Sequence, residues 1–515
     1  MHFFRRYAHT AAGLAATLAT GCSAPSPVGN SFRLRTFTQA QVLADLRRFQ
    51  QLKEAADDGL YKYHSKHQID SAFAAARAQV TRPLTAVEVY RLVVGLTDFE
   101  GSLHNETFLP DSVTRRLHTA AVFFPYPLKE VAGKVVVNTA QAPLPLGAQL
   151  VSLNGIPAKR LVHELGKYYT TDGLNTTGKR VGFAADFPEY YCLEYGPQPV
   201  FHVRYLPLGT ADTLQQTLPA VTYAHYQQAF TARHSAASDQ GFFEDSPVKY
   251  TFQLRPAQAL AVLTVNTFDI GEEATPGHRH YAHFLDSCFT LLRHSPGITQ
   301  LLVDVRNNGG GDDDNDMHTF AYLAHTPFKE NQAATIAFAR VPYRAWLTVE
   351  KDTAERATIV AELEKVVREE FTNGPDGRLH ENGRANPVFQ PQSNRFQGKL
   401  YLLVSERVAS AGSMFAAMVR GNTSATIIGE ETMGGYYGHT GHQSLSYTLP
   451  TTGIVVQFSC VDLRQHVPHR LNQPAGRGVL PDYTIRQSVE DFLTNRDAQL
   501  EFALDLMARQ RLGKP

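Results

Sequence analysis

Two short segments of this sequence bring together residue types capable of covalent chemistry. Leu301 to Gly311 reads LLVDVRNNGGG, an apolar run that ends in an amide- and glycine-rich turn. Consecutive glycines open the φ values at which successive backbone N–H groups converge on one point, which is how an oxyanion is held. Leu402 to Ala416 reads LLVSERVASAGSMFA, a strand that passes through small residues into a helix and leaves Ser410 at the helix start. A serine hydroxyl placed there either caps the helix or, with backbone N–H groups beside it, attacks a carbonyl. Taken singly, the two segments read as a common strand-to-helix turn and a capping serine. Together in one α/β pattern, about a hundred residues apart, they shift the balance from a capping serine toward a nucleophile. The acids that follow the glycines, Asp312-Asp313-Asp314-Asn315-Asp316, lack the alternate spacing and distant glutamate of a calcium loop. They fit the acid-rich start of a helix instead, and no metal site is expected.

The elements that must position these segments begin at Val248. From there, continuous apolar runs (ALAVLTV, ITQLLVDV, KLYLLVSE, TSATIIGEE) alternate with amphipathic stretches, as a sheet covered on both faces requires, so residues 248–515 form an α/β domain. Within it, residues 344–398 hold a charged helix and a Gly-, Asn- and Pro-rich loop, an excursion expected to be a lid or subunit contact. Upstream, residues 38–110 are helical, with Thr85 and Glu88 forming a capping box. Residues 118–206 show short alternating runs separated by Gly and Pro, a small β-rich domain in which GAQLVSLNGIPAKRLVHEL reads as strand, Asn-Gly turn and helix. Residues 207–247 read as a connector.

Composition narrows the function. Among 515 residues, 49 basic side chains balance 49 acidic ones, which leaves no cationic surplus for nucleic acid. Four cysteines, Cys22, Cys192, Cys288 and Cys460, are too few and too scattered for a disulfide framework or thiolate-bound zinc. Residues 1–22 have a basic start, a short apolar run and the small-residue site Ala19-Thr20-Gly21-Cys22. The apolar run is far below the roughly 20 residues that span a bilayer, so it suits a removable export signal. Its end resembles a bacterial lipobox, which would acylate Cys22 and make it the mature terminus. The expected location is the bacterial cell envelope, with the membrane engaged through a lipid anchor only.

VDVRNNGGG, ERVASAGSMFAAM, ATIIGEETMGG and GVLPDYTI resemble, in this order and spacing, the core of the tail-specific (C-terminal processing) serine peptidases, relatives of the tricorn core protease and interphotoreceptor retinoid-binding protein. The resemblance implies a crotonase- or ClpP-like α/β catalytic domain, preceded by the helical unit and a PDZ-like domain around LVSLNG. It implies Ser410 as nucleophile, and the amides of Ala411 and of Gly309 or Gly310 as oxyanion hole, with no cofactor. The PDZ-like resemblance carries only the fold, because Pro145-Leu146-Gly147-Ala148 shows no identifiable carboxylate-binding residues.

The sequence departs from the serine–lysine members of that family. They carry the lysine in the segment written here GEETMGG, where this chain has Gly435, and the only lysine after Ser410 is Lys514. A serine hydroxyl needs a base. The tricorn-like branch takes a histidine from an upstream segment, and DFEGSLHNETFLP places His104 in the matching position. His439 and His442 of GGYYGHTGHQ are the alternatives. The acid that would orient the imidazole is left open among Asp462, Glu430 and Glu431, since Ala475 stands where the tricorn-like pattern has glutamate. The expected activity is hydrolysis of peptide bonds in polypeptides of the cell envelope. A non-catalytic binder of peptides or apolar ligands on the same fold is the alternative, and a crotonase-like acyl-CoA enzyme a weaker third.

Overall fold

The computed structural model describes residues 34–140, 143–234, 248–349 and 353–512. The expected export signal and Cys22 lie outside the described residues. The C-terminal half is built on a six-stranded sheet in the order Tyr250–Arg255, Leu260–Val265, Gln300–Asp304, Lys399–Val404, Thr426–Gly429, Tyr483–Thr484. The first pair is antiparallel and the others are parallel. Side chains alternate between two cores, which is why these strands read as unbroken apolar runs. Leu301, Val303, Leu402 and Val404 face Phe289, Phe320 and Phe415 of three covering helices. Leu302, Tyr401 and Leu403 face Leu506 and Met507 of the helix Ala498–Arg511. Because Gln300–Asp304 and Lys399–Val404 are parallel neighbours, with Asp304 opposite Leu403, the glycine turn and the serine turn emerge side by side.

A second sheet runs Phe371–Asn373, Leu379–Glu381, Asn331–Ile336, Val455–Gln465, Thr440–Thr448. The excursion at 344–398 therefore differs from the expected lid. Its hairpin, Phe371 to Glu381, extends this sheet, and Val360, Leu363, Val367 and Phe371 join the main core. Burying those apolar side chains outweighs the charged character of the helix Thr353–Glu370, which confines its charges to the outer face.

The helices Gln39–Ala56, Lys66–Ala78 and Ala86–Glu100 each start at a capping box, the third being Thr85 with Glu88 as expected. They dock on the second sheet rather than standing apart. Asp45 accepts the N–H of Thr452 at 2.8 Å, Lys62 meets Asp462 at 2.5 Å, and buried Lys53 sits between Asp57 and Glu100 at 2.5 and 2.8 Å. The strand Glu106–Phe108 then pairs with Val455 to Gln457, splicing the end of the helical unit into the C-terminal half.

The small β unit orders its strands Leu128–Val131, Lys134–Val137, Gln149–Leu153, Val200–Leu206, Leu214–Pro219. The Asn154-Gly155 turn has φ of 48° and 80°, as that dipeptide favours. Residues 207–234 are part of this unit instead of a connector. Leu214–Pro219 adds a strand beside Val200–Leu206, and Tyr226 of the following helix donates to the Ala185 carbonyl at 3.2 Å. Gln-rich composition hid an edge strand whose alternate side chains face solvent. The loop holding Gly147 is covered by the helix Val489–Thr494, and a Cβ on Gly147 would lie 2.7 Å from Leu493. No helix among the described residues is long and apolar enough to cross a membrane, and Cys192, Cys288 and Cys460 are free thiols.

Candidate active site

Ser410 follows the turn after Lys399–Val404 and precedes the helix Ala411–Asn422. Its φ of 48° with ψ of −131° lies in a region that side chains other than glycine rarely occupy, and its hydroxyl makes no capping hydrogen bond. The serine thus presents Oγ outward and leaves the first amides of its helix uncapped by it. The small residues around it allow two turns to pack backbone to backbone. A Cβ on Gly310, whose φ is 110°, would fall 2.7 Å from the Ser410 Cβ, and one on Gly412 would fall 2.4 Å from the Asn308 carbonyl oxygen. Fully buried Asn308 braces the glycine turn: its Oδ1 accepts the Gly310 N–H at 2.9 Å and its Nδ2 donates to the Val265 carbonyl at 3.2 Å. The Gly310 amide is therefore engaged. Ala411 N lies 3.2 Å from where a Gly310 Cβ would be, which sets the first helix amide beside this turn.

His104 comes from the turn that follows Gly101, the left-handed cap of the helix Ala86–Glu100. Its Nε2 lies 3.2 Å from Ser410 Oγ and its Nδ1 lies 2.5 Å from the Thr440 carbonyl oxygen. A carbonyl only accepts, so Nδ1 carries the proton and the Nε2 lone pair faces the serine hydroxyl. The ring is 2% exposed. Burial, with His442 nearby, pulls its pKa down to about 4 against the opposing pull of the Thr440 carbonyl, so the imidazole is neutral near pH 7.

Of the two alternative bases, His439 is buried against His104 with ring centroids 5.0 Å apart, and burial holds it neutral as well. His442 points elsewhere, its Nε2 3.7 Å from Glu330. The three carboxylates considered for orienting the base are committed to cations: Asp462 to Lys62, Glu430 to Arg180 at 2.6 Å, and Glu431 to Arg477 at 2.7 Å. The Thr440 carbonyl takes the position expected of an acid. Nothing in the sequence distinguishes Thr440, since every residue carries a carbonyl. Gly435 occupies the position of the lysine in the serine–lysine pattern. Its N–H donates to Asp172 at 2.9 Å, and Tyr63 OH lies 3.4 Å from where its Cβ would be. Asp312 precedes the helix Asp313–Ala321, so the acidic run is a helix start.

Residues 259–485 match the model of Peptidase family S41. No curated protein sequence matches the chain significantly. Among solved structures, mature CPAF is similar over 92% of this chain and 97% of its own, at 12% identity and a TM-score of 0.56. Mature CPAF complexed with lactacystin covers 92% and 98% at 14% identity and a TM-score of 0.57. The photosystem II D1 C-terminal processing protease covers 91% and 97% at 16% identity, with a TM-score of 0.38. The CPAF similarity is one of fold. With residues 259–485 matching a peptidase model, the chain is a serine-type peptidase.

Proposed function

We propose that this chain is an endopeptidase that cleaves polypeptides with Ser410 as nucleophile and His104 as general base. The observation that carries the reading is the contact between His104 Nε2 and Ser410 Oγ, made in the tautomer that can take the serine proton. In acylation Oγ attacks the scissile carbonyl carbon while its proton passes to Nε2. The oxygen that becomes anionic is held by the amides of Ala411 and Gly309, since that of Gly310 is spent on Asn308. His104 returns the proton to the departing amine, and in deacylation removes one from water and gives it back to Oγ. The Thr440 carbonyl fixes the ring and takes up part of the positive charge that forms on it. A protein that only bound peptides would have no use for a serine held at positive φ. The β unit is read as PDZ-like in fold, and Cys22 as a lipid-bearing mature terminus that places the enzyme in the bacterial cell envelope.

Labelling with a serine-reactive phosphonate, followed by location of the adduct, tests the site. A single adduct on Ser410 that disappears in His104→Ala is expected. An adduct on another serine, or none, removes the reading.

A further inference from the structure

Asp172 lies in the loop between the helix Ala158–Leu165 and the helix Lys179–Tyr195, outside the segment matched to the peptidase family, and its side chain is fully buried. One carboxylate oxygen accepts the N–H of Leu103 at 3.0 Å, and the other accepts the N–H of Gly435 at 2.9 Å. Leu103 is the residue before His104. Gly435 opens the short loop that leads to Thr440, whose carbonyl holds the His104 ring. A single carboxylate thus anchors the backbone of the imidazole and the backbone of its hydrogen-bond acceptor. The same loop grips the base turn a second time, since Thr170 Oγ1 donates to the carbonyls of Leu103 and Asn105 at 3.2 and 2.9 Å. Gly173 N–H donates to the Gly101 carbonyl at 2.7 Å, and Asn175 Nδ2 to the Thr432 carbonyl at 2.6 Å.

We propose that Asp172 is a positioning residue for peptide hydrolysis: its carboxylate sets the distance between His104 and Ser410 by holding both backbone segments that fix the imidazole. This rests on the reading of Ser410 and His104 as nucleophile and base. The reason is one of geometry. Two N–H groups from chain segments far apart in sequence, that of Gly435 buried and that of Leu103 partly buried, share this one acceptor, so the carboxylate locks them at one separation. A neutral amide in its place accepts only one of them and turns its own NH2 on the other. A displacement of about 1 Å between reacting groups costs on the order of 10²-fold in rate, whereas substrate contacts are untouched.

Burial raises the Asp172 carboxyl to about 7 against the two N–H groups and Lys62; the Tyr63 hydroxyl is the other titratable group beside it. The ionised form, with both oxygens accepting, is the one that locks the turn. The wild-type profile of kcat/KM should accordingly carry a partial rise near neutrality that Asp172→Asn lacks.

The test uses the full chain and an active-site titrant. Phosphonate labelling counts competent Ser410 sites, and the labelling rate per counted site reports positioning. For Asp172→Asn we expect at least about a 10-fold lower rate per site, kcat lowered with KM unchanged, and loss of the step near neutrality. A normal rate per site, with or without fewer sites, overturns the proposal, because a residue needed only for folding changes the count alone. The wild-type labelling rate per site, followed across neutral pH, keeps the test decisive if Asp172→Asn does not fold: a rate with no step near neutrality overturns the proposal. Absence of any Ser410 adduct in the wild type would instead strike the dyad itself, a result distinct from a normal Asp172→Asn rate.

Discussion

His104 Nε2 stands 3.2 Å from Ser410 Oγ although 306 positions of sequence separate the two residues. The serine belongs to the end of a parallel sheet and the histidine to the turn after the third helix of the N-terminal unit, so neither half of the chain holds the pair alone. A nucleophile and its base act as one unit, so their losses do not add. Ser410→Ala and His104→Ala should each lower kcat/KM on the order of 10⁴-fold, and the double variant should be no worse than either. His442→Ala should be mild. His439→Ala should lie between, because it opens a void against the His104 ring. Steady-state kinetics on a peptide substrate with a fluorescent leaving group checks the series, and a multiplying loss in the double variant would separate the two residues.

The acid limb of the pH profile should sit unusually low. His104 must be neutral to accept the serine proton, and burial has moved its pKa to about 4. The free enzyme therefore keeps about nine-tenths of its base at pH 5, where an imidazole of ordinary pKa near 6.5 would keep about three per cent. The limb is read most cleanly in Asp172→Asn, which lacks the step near neutrality. A midpoint of kcat/KM near 6.5 in that variant would show that the base is solvated.

The same shift has a consequence for stability. A histidine held neutral by burial binds its proton less readily when folded than when unfolded, so its contribution is complete above about 6.5 and is lost as pH falls toward 4. For His104 this amounts to something on the order of 2 kcal/mol between pH 7 and pH 5. Urea unfolding at the two pH values should show a steeper loss in wild type than in His104→Gln. Equal slopes would place the imidazole in water.

The catalytic strands were legible because a sheet covered on both faces demands unbroken apolar runs, and Leu301 to Val305 and Tyr401 to Val404 supply them. Ser410 and the glycine turn were legible for a related reason: backbone segments as close as Gly310 and Ser410 admit only small residues, and those leave a mark in the sequence. What was not legible was work done by backbone groups and by distant partners. The carbonyl of Thr440 has no residue-type signature, and Asp172 in KYYTTDGLN looks like any turn aspartate until the fold brings Leu103 and Gly435 to it. The carboxylates of Asp462, Glu430 and Glu431 likewise carry no sign in the sequence of the cations they meet: Asp462 and Glu430 pair with Lys62 and Arg180 from upstream units, and Glu431 with Arg477 of its own domain.

The terminus gives a prediction independent of catalysis. If Cys22 is acylated, the mature protein begins at that residue and carries a mass increment of diacylglycerol, with or without a further acyl chain. Mass spectrometry of protein extracted from membranes, compared with Cys22→Ser, decides it. Cys22→Ser should release the protein into the soluble fraction with its specific activity intact. A mature terminus beyond Cys22 in the wild type would point to an ordinary signal peptide.

Gly435 tests whether the proposed histidine base can be exchanged for a lysine. The position has no room for a side chain: an added Cβ would lie 2.6 Å from the Gly438 carbonyl oxygen, a backbone atom, with Tyr63 OH at 3.4 Å. The Gly435 N–H is also held by Asp172, and the loop it opens leads to the carbonyl that fixes His104. Gly435→Ala alone should therefore lower kcat by displacing that loop, and Gly435→Lys should lower it further instead of supplying a second base. In a His104→Ala background, Gly435→Lys should restore neither hydrolysis nor phosphonate labelling of Ser410, even at pH 9 to 10, where a lysine of ordinary pKa near 10.4 begins to lose its proton. Recovery of labelling in that double variant would mean that the lysine amine reaches Ser410 despite the clash. The Gly435–Gly438 turn would then be soft, and the tight packing assigned to it would be withdrawn.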